Sequence, residues 1–453
     1  MKILILSARR MLAGAALLAA TALGACDSLL EVENPQVVEP DELNDPYYLT
    51  LLMNGVVSDF QRAYDDVVLF GGVFTDELRN HASFAEEPLI DQRAVESGNG
   101  TAALVYTQLQ RARALADSSI GRFRTLRADS AESDLRLARV MVYGGMTYVL
   151  MAEHLCEAPV NLSRPYTPRE LLDTFAVPRF DEAIRVAAAA RAAAAAAVPA
   201  NARGVAGADS LIALARVGAA RANLALWGMT GSDAYRVRAR DHAAAVPAAF
   251  LFYAYYSDQA DELNNFVWSR LTNSISASVS NTPFEALRGL DPRIPIPTTQ
   301  ETAVGGLRVY VPNSPTAYTS YSPTQPGAEF GRGSWIRMAS GLEARYIRAE
   351  TEGATAENIA FIESRRLLAP VGTVETTAAT FLANLRDQRR RDFYLDAHRL
   401  GDLRRYRTQY GDIEDFNEFQ QGLYPGSTTI SYASTYCFPV NFSEISGNPN
   451  YPR

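Results

Sequence analysis

The sequence predicts an all-α fold of stacked helical hairpins, of the tetratricopeptide type, joined to a large loop-rich subdomain that faces the ligand. Three observations predict it. Apolar and small residues recur at helical spacing on both sides of the chain's middle. Gly-centred turns separate the members of each helix pair. Between about Phe250 and Ser340 both periods fade into Ser, Thr, Pro, Gly, Tyr and Trp.

The first element is not part of that fold. Lys2, Arg9 and Arg10 precede a short apolar run, and Leu23-Gly24-Ala25-Cys26 closes it with small residues before a cysteine. This is the architecture of a bacterial lipoprotein signal over residues 1–25, with lipid expected on Cys26 of the mature chain. Removing its three positive charges takes the formal net charge from −8 to −11. An acidic chain of this length can bury a large core, and its charge argues against nucleic acid as a partner. Residues 26–45 read as an extended, solvated tether, because Pro35 and Pro40 block regular helix among several acids.

The folded part is expected over residues 46–453, with hairpins at about 46–248 and 341–407, the irregular ligand-facing insert at about 249–340 and a C-terminal tail over 408–453. Asp45 and Pro46 read as an N-cap and first-turn proline for a helix over residues 47–64. Residues 135–155 repeat Leu137, Met141, Gly144, Tyr148 and Met151, and two glycines on an apolar stripe imply a neighbouring helix packed very close. Residues 211–227 and 234–246 form a second pair about Gly228 to Gly231. Residues 342–352 and 356–368 form a third about Gly353. A further helix is expected over residues 381–406, where acids and arginines alternate beside an apolar stripe and can pair along it.

Two cysteines remain beyond Cys26. In a compartment outside the cytoplasm Cys156 and Cys437 are expected to pair, tying the C-terminal tail to an early helix.

Chemistry is sparse in the sequence. Lys2 is the only lysine, so lysine-based covalent catalysis is excluded from the mature chain. His81, His154, His242 and His398 show no metal-ligand spacing, and no phosphate- or dinucleotide-binding loop stands out. No metal and no cofactor are expected. Adjacent carboxylates at Asp76-Glu77 and Asp261-Glu262, with Glu329, leave a glycoside hydrolase as one reading. Aromatics are the more informative set. Tyr256, Trp268, Tyr321 and Trp335 are the candidates in the insert for stacking on sugar rings or other amphipathic ligands.

The run Arg389-Arg390-Arg391-Asp392-Phe393-Tyr394-Leu395-Asp396-Ala397-His398-Arg399-Leu400-Gly401-Asp402-Leu403-Arg404-Arg405 resembles a motif of the SusD/RagB family of outer-membrane nutrient-binding lipoproteins. There an Arg-rich run leads to Glu-Gly-His-Arg-Trp-x-Asp-Leu-Arg-Arg. This chain reads Asp396-Ala397 for Glu-Gly and Leu400 for the Trp. Other family-like marks follow in order: Leu30-Glu31-Val32-Glu33-Asn34-Pro35, Asp76-Glu77, Glu157-Ala158-Pro159, Asp291-Pro292-Arg293, Leu342-Glu343-Ala344, Phe438-Pro439-Val440 and Asn448-Pro449-Asn450. The resemblance implies a tetratricopeptide-like α-α superhelix that binds rather than cuts. It implies delivery of oligosaccharides or other nutrients to a TonB-dependent transporter of the SusC type, from a lipid anchor on the outer membrane, facing outward. It also implies that Asp76 and Glu77 lie near ligand-facing loops, while the arginine-rich helix is scaffold. A helical-repeat scaffold for proteins, without small ligand, is the alternative from a different class.

Overall fold

A computed structural model describes residues 44–260, 263–294, 296–312, 331–411 and 418–452. Cys26, Asp261-Glu262, Tyr321 and Glu329 lie outside the described residues. The chain divides into two units, Met1–Tyr48 and Leu49–Arg453. The described end of the first is a 3-10 turn, Pro46–Tyr48, at whose start the Asp45 carboxylate accepts the Tyr47 N–H at 2.7 Å.

The second unit is helical. In chain order its main helices are α1 (Leu49–Phe74), α2 (Gly100–Leu126), α3 (Leu135–His154), α4 (Val177–Ala196), α5 (Ala202–Thr230), α6 (Asp233–Ala244), α7 (Gly341–Glu352), α8 (Ala356–Arg366), α9 (Phe381–Asp392) and α10 (Arg399–Tyr410). Helices α1 to α6 pack in sequence, each against the next, α7 lies on α6, and α10 lies across α1, α3 and α5. Side-chain caps start several of them: Asn99 accepts from Ala102, Asp134 from Arg136 and Ser340 from Glu343. Gly231 and Gly353, both at positive φ, end α5 and α7.

Close packing explains the glycines on the stripes. A Cβ on Gly145 would stand 2.7 Å from the Phe180 ring, and one on Gly218 would strike the same ring. Phe180 of α4 therefore wedges between glycines of α3 and α5. Helix α5 begins nine residues earlier than residue 211 and runs through Gly228, whose missing side chain makes room for Arg405. Helix α1 runs ten residues past residue 64, with Asp65 and Asp66 buried in it.

The insert is framed by two antiparallel strands, β1 (Leu251–Ala254) and β2 (Ile336–Ser340), paired Leu251 to Ser340 and Ala254 to Ile336 with a bulge at Phe252/Tyr253. Between them come short ladders and single helical turns. A small apolar cluster of Ala303, Val309 and Val311, with Ile275 against it, lies within the insert.

The expected helix over residues 381–406 is broken. Helix α9 ends at Asp392, the chain unwinds, and α10 restarts at Arg399. Leu395 and Ala397 take φ of 54° and 64°. Periodicity missed the break because the residues on both sides keep helical spacing. Three of the unwound backbone groups are claimed from elsewhere. The Leu395 N–H donates to Glu77, the Tyr64 hydroxyl lies 2.9 Å from the Asp396 carbonyl, and Arg221 donates to the Ala397 carbonyl at 2.7 Å.

His398 follows the break and is buried. Its Nδ1 lies 2.7 Å from an Asp396 oxygen and its Nε2 lies 3.0 Å from a Glu343 oxygen. Burial and the neighbouring Arg221 oppose its charge, yet the two carboxylates prevail and raise its pKa to about 9. Arg221 is itself held by both Glu153 oxygens. Further along, Asp402 receives Arg389 at 2.7 Å and Arg405 at 2.9 Å, and Asp387 receives Arg390 and Arg391. The alternating charges do pair along each helix, Asp387 with Arg390 and Arg391 and Asp402 with Arg405, while Arg389 crosses the break to Asp402 and the arginines are buried.

The C-terminal tail is clasped to the helical body. Cys156, just after α3, is bonded to Cys437, and beside it the Cys156 N–H donates to the Phe438 carbonyl. Next to this bond lies an alternating stack: Tyr424, Arg79, Tyr432, Arg93, Tyr436 and Arg407, each guanidinium 3.7–5.8 Å from a ring centroid. Asp76 anchors it, pairing with Arg79 at 2.9 Å and accepting the Tyr432 hydroxyl. Asp91 holds the Tyr424 hydroxyl and the other side of Arg79.

Three outcomes follow for stability, each read by chemical denaturation. Ala397→Gly should stabilise the fold by up to about 1 kcal/mol, since a left-handed backbone strains alanine and not glycine. His398 has a folded pKa above its unfolded one, so its contribution is complete below about pH 6.5 and is lost as pH rises through about 9. Wild type should therefore lose about 3 kcal/mol across that window beyond what His398→Gln loses, and equal slopes would refute the buried cation. Asp76→Ala should cost about 1–3 kcal/mol, because it removes one of the two carboxylates on Arg79 and leaves the Tyr432 hydroxyl without its acceptor.

Candidate functional site

The candidate surface is built from the insert's aromatic residues. Strand β1 runs Leu251-Phe252-Tyr253-Ala254 and continues to Tyr255, while β2 is entered through Trp335. Strict alternation would place Tyr253 and Tyr255 on one face; the bulge puts its extra residue, Met338, on β2, and Tyr255 lies beyond the last paired residue, Ala254. Tyr253 is buried and Tyr255 is 46% exposed. The half-buried Trp335 meets Tyr255 edge to face, with centroids 4.8 Å apart at 72°, and Phe252 lies 6.4 Å from Tyr255 on its other side. An edge-to-face pair with one exposed member is a rigid apolar platform, able to take the C–H face of a sugar ring.

The segment 331–335 links this platform to Trp268. Asn265 caps the single helical turn Phe266–Trp268 through its Oδ1, and its N–H and amide nitrogen donate to the Arg332 and Ser334 carbonyls at 2.8 and 2.9 Å. Buried Asn265 thus fixes both stretches at once. Arg332 lies 5.9 Å from the Trp268 ring centroid, and its Nε donates to Asn264. The half-buried indole and the guanidinium form a second, polar-edged element beside the Tyr255–Trp335 pair.

Below lies α1. The Asp65 carboxylate accepts the Phe266 N–H at 3.0 Å, and the Tyr256 hydroxyl donates to the Gln61 carbonyl at 2.8 Å. Burial raises the Asp65 pKa well above the usual carboxylate range and brings that of Asp66 to about 7. These groups seat the insert on α1.

The six ligand candidates named from sequence separate accordingly. Trp268 and Trp335 are both half-buried, and their segments are tied together through Asn265. Tyr256 is half-buried, its hydroxyl spent on Gln61, and Tyr321 lies outside the described residues. Asp76 and Glu77 are corrected: both are buried, at 3% and 2% exposure. Asp76 holds the Arg–Tyr stack. Glu77 accepts the N–H of Leu395 at the helix break, and burial pushes its pKa up to about 8. Neither side chain offers a surface to ligand, and the hydrolase reading loses that carboxylate pair. The pairing of Tyr255 with Trp335 and the place of Arg332 beside Trp268 carry no local signal in the sequence.

No protein-family model and no curated protein matches the chain. Solved structures do. A SusD superfamily protein from Parabacteroides distasonis superposes with a TM-score of 0.64 at 13% identity, over 90% of this chain and 98% of that one. A structure determined with a xylogluco-oligosaccharide gives 0.62 at 11%, over 89% and 97%. A laminarin-binding SusD-like protein gives 0.55 at 11%, over 90% and 98%. The broken, charge-locked helix and the framed aromatic insert thus sit in the all-α, tetratricopeptide-like fold of the SusD superfamily.

Proposed function

We propose that this chain is a nutrient-binding lipoprotein of the SusD/RagB family, anchored through lipid on Cys26 to the outer membrane and facing outward. It binds oligosaccharides on the surface formed by Tyr255, Trp335, Trp268 and Arg332 and passes them to a TonB-dependent transporter of the SusC type. It binds without cutting. The observation that carries the reading is the exposed edge-to-face pair of Tyr255 and Trp335, held on a framed insert in a fold whose solved members include oligosaccharide and laminarin binders. Apolar ring faces stacked beside a guanidinium suit a sugar, which presents C–H faces and hydroxyl edges together.

Two measurements test it. Laminarin and xyloglucan oligosaccharides titrated into the full chain should bind, and Trp335→Ala should weaken the tighter of them by about tenfold, the loss of one aromatic contact. Unchanged affinity removes the aromatic surface from the reading. Purification from the native membrane in mild detergent should bring a TonB-dependent transporter in near-equal amount, and its absence would remove delivery.

A further inference from the structure

A second site lies away from the aromatic platform. A groove of about 520 Å³ opens between α2, the loop after α3 and the tail around residues 441–444. We propose that it binds a short, uncharged polyhydroxylated ligand, one or a few sugar units, independently of the Trp335 surface.

Its floor is fixed before any ligand arrives. Gln110 donates to the Pro159 carbonyl at 2.8 Å and to the Tyr106 hydroxyl at 3.1 Å, and it accepts from Arg113. Arg113 donates to the Asn161 side-chain oxygen at 2.7 Å. Asn161 therefore has its oxygen tied and its amide N–H₂ left to donate. Asn441 repeats the arrangement, its oxygen accepting the Ser443 N–H at 2.8 Å. The groove's cations are already committed, Arg111 to Asp59 at 3.0 Å and Arg113 as described, and Glu444 adds an acceptor. Neutral donors beside a carboxylate match hydroxyl groups and disfavour an anion.

The lip supplies the second observation. Asn161 and Leu162 are consecutive residues at φ of 53° and 58°, and the Leu162 side chain is 61% exposed. A leucine gains nothing for the fold from a left-handed backbone with its side chain in solvent. Three distant groups nevertheless hold the loop there: Arg113 on Asn161, Asn450 on the Leu162 carbonyl at 2.7 Å and Asn448 on the Ser163 carbonyl at 2.9 Å. The imposed geometry sets an apolar side chain at the mouth of a hydrogen-bonding groove, the pairing a sugar ring needs.

The test uses the full chain, with laminaritetraose, cellotetraose and maltotetraose as probes, followed by saturation-transfer NMR and thermal denaturation. At least one sugar should still bind Trp335→Ala. Thr107→Trp, an exposed substitution that fills the groove, should weaken that residual binding by about tenfold in the Trp335→Ala background, leaving only what the depleted platform retains. Leu162→Gly in the same background should weaken it by about tenfold without lowering Tm, because glycine relieves the backbone while removing the contact. The proposal is overturned if no sugar binds Trp335→Ala, or if Thr107→Trp leaves the residual binding intact. It is also overturned if Leu162→Gly lowers Tm and spares binding, which would make the loop structural. Loss of the Trp335 surface and loss of the groove are read from separate variants, so either can fail alone.

Discussion

A cation held in the protein's interior governs this fold. His398 stands between the carboxylates of Asp396 and Glu343, with Arg221 pressing against it and Glu153 holding Arg221 in turn. Each of these charges would be costly to bury alone, and each is acceptable only in the company of the others. The set draws on α3, α5, α7 and the break between α9 and α10, so those elements must arrive together. Apolar packing such as Phe180 between Gly145 and Gly218 brings the helices to contact distance. The charges decide which helix lies against which.

The unwound segment between Asp392 and Arg399 is where the buried ion pairs and the insert meet. Three of its backbone groups are satisfied by Glu77 and Tyr64 of the α1 region and by Arg221 of α5. Arg337 of β2 also reaches it, pairing with the Asp396 carboxylate at 2.8 Å. Strand β2 is preceded by Trp335. The aromatic platform is thus held, two residues away, by the same carboxylate that helps charge His398, which ties that surface to the buried ion pairs.

Much of the helical scaffold was legible in the sequence, since helix α3 and the α7–α8 pair are marked by period, caps and glycines that act locally. Boundaries slipped where a residue's environment overrode its type. Asp65 and Asp66, just past the expected end of the first helix, are buried. The break in residues 381–406 was hidden because both halves keep the helical period. A clue was present in the comparison of motifs: where the family pattern has glycine this chain has Ala397, and a patterned glycine inside a helical run marks a left-handed backbone. Asp76 and Glu77 were misplaced for a related reason, because adjacency in sequence says nothing about burial. The platform itself was half legible, its tryptophans by composition, while the meeting of Tyr255 with Trp335 joins residues 80 apart in the chain and leaves no local pattern.

The tail's clasp also sets an order of events during synthesis. Phe438 packs 5.1 Å from Phe74 at the end of α1, and Cys437 and the three tyrosines that interleave with Arg79 and Arg93 all lie in the last thirty residues. The end of α1 therefore keeps an apolar face uncovered, and Arg79 and Arg93 beyond it keep theirs, until residues 424–438 have emerged. A chain built this way closes only when that late segment returns to its early helices.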